Sequence, residues 1–248
     1  MERKDLHVHT TFSDGKNSPE EMVLAAIDAG LDVIGFSDHS YTAFDESWCM
    51  SVQGTADYRA EVARLKEKYQ GKITVLCGIE QDYYTDSPAV GYDYIIGSVH
   101  FIKIGGRFIP VDEGTAYLRE AAEKYFDGDI YAVIEEYYRT VTDVVNKTGA
   151  DIIGHFDLIC KHNEQSPLYD ELHPRYRAAW QSAADTLLKT GKPFEINTGA
   201  VTRGYKSEPY PSKDILQYIK EHGGTFILSS DSHTTEALLI SHKCTCFY

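Results

Sequence analysis

Asp5-Leu6-His7-Val8-His9 reads as a short strand near the start of the chain, and Ser230-Asp231-Ser232-His233 repeats its theme near the end. In each stretch two metal-competent side chains stand two residues apart, so on extended backbone they share a face. Between these stretches, strand and helix signals alternate. Ser18-Pro19-Glu20-Glu21 is a capping box with proline at the first helical position, and its helix carries Met22, Ala25, Ala26 and Ala29 on one face before stopping at Gly30. Further strand patterns occupy 32–38, 73–79, 92–100, 151–155, 194–197 and 225–230. Helical patterns occupy 55–70, 114–126, 129–148 and 174–191, with a last one from Pro211-Ser212 to Gly223-Gly224. Gly105-Gly106 before Arg107 marks a hairpin extension.

Seven strands, mostly separated by helices, predict an α/β fold with a parallel sheet and right-handed crossovers. The sheet is either a closed barrel or an open doubly wound one. No G-x-G-x-x-G or Walker loop opens a helix, which removes the commonest nucleotide-binding form of the open sheet. With no linker, repeat or low-complexity segment, residues 1–248 read as one domain.

The 24 Lys and Arg against 38 Asp and Glu leave a formal charge of −14. That balance argues against a nucleic-acid or anionic-membrane partner, which calls for a basic face. The N-terminus runs into its first strand without an apolar signal region, and no apolar stretch is long enough to span a bilayer. Cys49, Cys77, Cys160, Cys244 and Cys246 are odd in number and lack C-x-x-C spacing, so free thiols in a reducing cytoplasm are the simplest reading.

The metal-competent residues gather at strand ends. His7 and His9 end the first strand and Asp14 follows it; His39 ends the second, Glu80 follows the third, and His100 ends the fourth. His155 ends the fifth, and Asp231 and His233 end the seventh. In (β/α) barrels that end carries the active site, which favours the closed form. In it the first strand lies beside the last, so the two spaced pairs meet around one ion. Imidazole with carboxylate suits zinc, iron or manganese alike. Nine ligands exceed what one or two catalytic ions use, and three divalent ions sharing bridging ligands such as Glu80 fit the number.

His7-Val-His9-Thr with Ser13-Asp14-Gly15, Phe36-Ser-Asp-His39, Gly78-Ile-Glu80, Gly97-Ser-Val-His100, Gly154-His155-Phe-Asp157 and Ser230-Asp-Ser-His233 resemble the ordered motifs of the polymerase-and-histidinol-phosphatase (PHP) family. The resemblance implies a distorted (β/α)7 TIM-like barrel with a trinuclear metal centre at the C-terminal strand ends. Its ligands would be His7, His9, Asp14, His39, Glu80, His100, His155, Asp231 and His233. The segments 195–212 and 78–83 are similar to the histidinol-phosphate phosphatase branch, which implies hydrolysis of L-histidinol phosphate to L-histidinol. The alternatives are another small phosphate ester or nucleotide as substrate, and a non-catalytic metal-binding scaffold.

The expected chemistry is hydrolysis by a water that two ions bridge and bring toward hydroxide near neutral pH. Glu80, Asp231, His233 and Arg203 are the candidate catalytic residues. Arg203, in a Gly- and Thr-rich loop, is the first choice for a bidentate phosphate clamp, and Lys161 the second. His162 is a candidate substrate contact, Tyr83 or Tyr84 could stack on a substrate imidazole, and Asp82 or Asp86 could meet its cation. Asp38 and Asp157 stand beside ligand positions as candidate orienting acceptors for imidazoles. Relatives typically continue through another helix after the last ligand, whereas 15 residues remain here, ending Cys244-Thr-Cys-Phe-Tyr248. The expected consequence is lost packing at the closing seam of the barrel.

Overall fold

The computed structural model describes residues 2–243. The strands are β1 (Lys4–Asp5), β2 (Val33–Phe36), β3 (Thr74–Asp82), β4 (Tyr94–Ser98), β5 (Phe101–Ile104), β6 (Arg107–Pro110), β7 (Ile152–Ile153), β8 (Phe194–Asn197) and β9 (Phe226–Ser229). β5 and β6 form the expected antiparallel hairpin. The other seven run in the order β1-β2-β3-β4-β7-β8-β9, every pair parallel. The ring closes beyond β1, where Val8 bridges Ser232 in parallel. His9 N–H donates to Ser232 O at 2.9 Å, and Ser232 N–H to His7 O at 3.2 Å. Buried Asp5 clamps the same seam: its Oδ1 accepts from His7 N–H at 3.1 Å and Ser230 N–H at 3.2 Å. The fold is a distorted (β/α)7 barrel.

The helices are α1 (Pro19–Asp28), α2 (Val52–Lys68), α3 (Thr115–Tyr125), α4 (Ile130–Thr142), α5 (Val144–Thr148), α6 (Pro174–Leu188), α7 (Gly199–Thr202), α8 (Lys213–Glu221) and α9 (Thr235–Lys243). α1 begins with the predicted capping box, in which Ser18 and Glu21 satisfy each other's backbone N–H. The helix predicted over 129–148 breaks at Asp143, whose backbone leaves helical geometry at φ −100°, ψ 1°. The Asp143 carboxylate there accepts from the Tyr83 hydroxyl at 3.1 Å and the Asn146 amide at 3.2 Å. A short helix, α7, stands where a loop was expected, because Asn197 Oδ1 accepts from Gly199 N–H at 2.9 Å and starts the turn. A helix also follows the last ligand: α9 packs on α1 and buries Leu238 in the same apolar cluster, so the seam keeps packing that the sequence had suggested was lost. Cys244, Cys246 and the rest of 244–248 lie outside the described residues, while Cys49, Cys77 and Cys160 are buried free thiols. No helix among the described residues is long and apolar enough to cross a membrane.

The lumen is filled by Leu6, Val33, Tyr94, Ile96 and Ile152. Tyr94 is its plug, with a hydroxyl 2.6 Å from Leu6 O and 3.0 Å from Phe36 O. Gly35 and Gly78 make room for it: an added Cβ would fall 2.3 Å from the Tyr94 hydroxyl and 2.2 Å from its Cζ. Neither atom can retreat, because the hydroxyl is bonded on the far side of the lumen. Overpacking of this kind costs about 1–3 kcal/mol. Gly78→Ala is therefore expected to lower the urea-unfolding free energy by about that much, and an unchanged midpoint would mean that the ring has room to shift.

Candidate active site

The carboxyl ends of the strands point their imidazoles at one carboxylate. Glu80 stands inside β3 rather than after it, because the strand continues through Gln81 and Asp82 in register with Gly97 and Ser98 of β4. Its side chain is 1% exposed. Oε1 lies 2.8 Å from His155 Nε2 and 3.4 Å from His100 Nε2, and accepts from Ser98 Oγ at 2.6 Å. Oε2 lies 2.9 Å from His39 Nδ1, 3.2 Å from His7 Nε2 and 3.4 Å from His9 Nε2. Asp231 Oδ1 faces His9 Nε2 at 3.3 Å and His7 Nε2 at 3.7 Å, so the two pairs do meet across the closing seam. Asp14 completes the outer side, with Oδ2 3.1 Å from His233 Nε2 and Oδ1 3.6–3.7 Å from His9 Nδ1 and His39 Nε2. All nine residues expected as ligands thus belong to one cluster.

The donor set fits metal ions. Three groups have ligand atoms within 4.8 Å of one another: His9, Asp14, His39 and His233; His7, His9 and Glu80; and His39, Glu80 and His100. His7 Nε2, both His9 nitrogens, His39 Nδ1 and Glu80 Oε2 are buried without a geometrically acceptable hydrogen-bond partner. Leaving that many buried polar atoms unsatisfied is costly unless something binds them. Asp231 adds backbone strain at φ 51°, unusual for a residue other than glycine and typical of functional positions.

Two carboxylates fix imidazole orientation. Glu195 Oε1 lies 2.5 Å from His7 Nδ1, while Oε2 accepts from His155 N–H at 2.8 Å and Asn197 Nδ2 at 3.1 Å. Asp82 Oδ2 lies 3.2 Å from both His100 Nδ1 and His100 N. In each case Nδ1–H donates outward and Nε2 is left facing Glu80, the arrangement metal-binding histidines commonly use. Glu195 escaped notice as a site residue although its signal was present: a carboxylate within the otherwise apolar start of a buried strand. Asp82, expected from the sequence to meet the substrate's cation, is buried behind His100 and has this other task. Among the described residues, Asp38 and Asp157 orient no imidazole. Asp38 ties down the loop after β1 by accepting from Thr10 and Ser13, and Asp157 accepts from Ser212 N–H at 2.9 Å.

Charges within the cluster follow from this crowding. Burial would lower His7 and His100, but neighbouring carboxylates outweigh it: Glu195, Glu80 and Asp231 hold His7 well above its usual range, and Glu80 and Asp82 raise His100 to about 9. Burial, with His233 and His39 nearby, drops His9 to about 3. Glu80 and Asp231 stay ionised despite burial, Glu80 because His7 and His39 face it and Asp231 because Arg203 and then His7 do.

A cavity of about 670 Å³ opens onto the cluster. Arg203 and Lys161 line it, as does Lys16. Arg203 NH2 lies 3.0 Å from Asp231 Oδ2, NH1 donates to Asp231 O at 3.1 Å, and Nε has no partner. Lys161 Nζ is paired with Asp112 Oδ2 at 2.9 Å. Asp112, Glu113, Trp48, Phe101 and Tyr205 supply further walls that sequence reading did not assign. Trp48 sets its edge against the His39 ring at 4.7 Å. Tyr83 and His162 are outside the lining: Tyr83 bonds Asp143, and His162 Nε2 lies 2.8 Å from Asp112 O. Tyr84 packs on Phe108, and exposed Asp86 is likewise outside.

A PHP domain is matched over residues 5–199. The chain belongs to the PHP family. Asp231 and His233 lie beyond the matched segment, and barrel closure carries them into the PHP site. Among relatives, a Deinococcus radiodurans protein named "Probable histidinol-phosphatase" is 29% identical over 92% of this chain and 85% of its own. Two solved structures share the fold. The hisK protein of Listeria monocytogenes superposes with a TM-score of 0.82 at 20% identity, covering 98% of this chain and all of that one. Histidinol phosphate phosphatase of Lactococcus lactis, complexed with Zn, L-histidinol and phosphate, gives 0.63 at 22% identity over 100% and 95% of the two chains.

Two outcomes are expected of this PHP site. His7 and His100 hold protons near neutral pH that a metal must displace, so metal binding should release protons and strengthen as pH rises, with His100 losing its proton at about 9. Titration calorimetry in buffers of different ionisation enthalpy measures that release, and its absence would contradict these charge states. Glu195→Gln should weaken metal affinity about 10–100-fold through the His7 orientation it loses. Competition with a chelating dye reads the change, and unchanged affinity would leave Glu195 a packing residue.

Proposed function

We propose that the protein is a metal-dependent phosphomonoester hydrolase that converts L-histidinol phosphate to L-histidinol and phosphate. The observation that carries the reading is Glu80, ringed by five imidazoles beneath a cavity that also holds Arg203. The name of the Deinococcus relative and the Zn, L-histidinol and phosphate of the Lactococcus complex support the substrate. Three divalent ions, zinc, iron or manganese, would be held by His7, His9, Asp14, His39, Glu80, His100, His155, Asp231 and His233. Bound there, they supply Lewis-acid charge and lower the pKa of coordinated water.

The chain's own residues do the rest. Glu195 and Asp82 hold the His7 and His100 rings so that Nε2 faces the centre. Arg203 NH2 keeps one N–H beyond its pair with Asp231, which leaves it able to take a phosphoryl oxygen while it steadies Asp231. Lys161 is partly neutralised by Asp112, so its pull on phosphate is the weaker of the two. Glu113, next to the Lys161–Asp112 pair on the cavity wall, offers a carboxylate to the substrate's cationic end, and Trp48, Phe101 and Tyr205 offer aromatic rings to its imidazole. The buried free thiols fit a reducing compartment such as the cytoplasm.

The test is initial rates of the metal-loaded protein on L-histidinol phosphate, 5′-nucleotides and 3′,5′-bisphosphates. A kcat/KM at least about tenfold higher for L-histidinol phosphate is expected, equivalent to about 1.4 kcal/mol of discrimination. Equal rates on all esters would assign a general phosphoesterase, and full metal loading without turnover a binding scaffold. Arg203→Ala should raise KM for the ester about tenfold or more, with metal content measured alongside because Asp231 loses its partner.

A further inference from the structure

Of the three cations on the cavity wall, two are already engaged. Lys161 is paired with Asp112, and Arg203 is held by Asp231 and lies 2.9 Å from His233 Nδ1. Lys16 differs: it is exposed, it lines the cavity, and it forms no ion pair among the described residues.

Its backbone is nonetheless fixed. Lys16 N–H donates to His233 O at 2.8 Å, and Thr11 N–H donates to Asn17 O at 3.0 Å across the same loop. Gly15 presses so closely on the preceding chain that an added Cβ would fall 2.6 Å from His9 C. A tight loop therefore presents a long, uncommitted ammonium to the wall it shares with Asp14 and His233. Only the side-chain torsions remain to be ordered when it meets an anion. Arg203 and Lys16 both touch His233, one through its ring and the other through its carbonyl, and they come from different ends of the chain.

We propose that Lys16 is a phosphate contact, the mobile partner of the rigidly held Arg203, closing on the phosphoryl oxygens of the bound ester. This rests on the phosphate-ester reading above. The physical reason is charge. Six carboxylates and three cations line the cavity, so even with ions bound a dianionic group gains from a cation that is not already neutralised. A compact ammonium on a flexible stem is suited to that task because it can follow the phosphate. An ordinary solvated lysine would contribute nothing to binding.

The experiment measures binding of inorganic phosphate to the metal-loaded, full-length protein by calorimetry. Lys16→Ala and Lys16→Gln are expected to weaken phosphate about tenfold, to flatten the dependence of affinity on salt, and to keep wild-type metal content. Lys16→Arg is expected to recover most of the loss. Phosphate affinity within twofold of wild type in both neutral variants would overturn the proposal, as would a wild-type protein that binds no phosphate. Phosphate binding that depends on Lys16, in a protein that does not turn over L-histidinol phosphate, would support the contact and remove the histidinol assignment instead.

Discussion

A single buried carboxylate organises this molecule. Glu80 has five imidazole nitrogens within 3.4 Å of its two oxygens, and those of His7, His9 and His39 are buried without an acceptable hydrogen bond. Such a cluster is unfavourable in a dry interior unless cations or precise hydrogen bonds balance it. Its persistence requires a scaffold that is stable elsewhere. The barrel below supplies this, with Tyr94 filling the lumen and the helices burying two large apolar clusters around it.

A sparsely paired part of that scaffold is also where the site is made. β1 contributes a two-residue ladder, and closure depends on the Val8–Ser232 bridge and on Asp5 accepting from backbone on both sides. His7, His9, Asp231 and His233 are displayed at this seam. The β1 backbone leaves the regular ladder where it must aim two imidazoles inward, so regular pairing yields to site geometry. α9 covers the seam from outside through Leu238.

The acidity of the chain takes on a local meaning here. A formal charge of −14 opposes an anion at the surface at large. Within the cavity, three divalent ions would offset six negative charges, and Arg203 and Lys16 add positive charge beside them. Under the proposed function Glu113 remains for the cationic end of the substrate, while Asp112 is paired with Lys161. An acidic protein can thus bind a phosphate ester provided the positive charge is concentrated, and the residual acids then favour an ester that also carries a cation.

Much of this was legible along the chain because it depends on local spacing. Period-two pairs such as His7–His9, the Ser18 capping box, the Gly105-Gly106 hairpin and the gathering of ligand-type residues at strand ends all follow from short-range geometry. The nine-residue cluster could be drawn up that way. The tertiary structure decided which acid serves which base. Asp82 turned from the substrate to His100, Glu195 reached His7 across 188 positions, and Tyr83 and His162 turned away from the cavity. Asp112, Glu113 and Trp48 joined its wall from loops with no distinguishing motif, and Lys16 from just after the Ser13-Asp14-Gly15 motif. The physical reason is that spacing sets the side of an element on which a residue lies. Partnership between residues distant in sequence depends on how loops pack, and one residue's spacing carries no record of that.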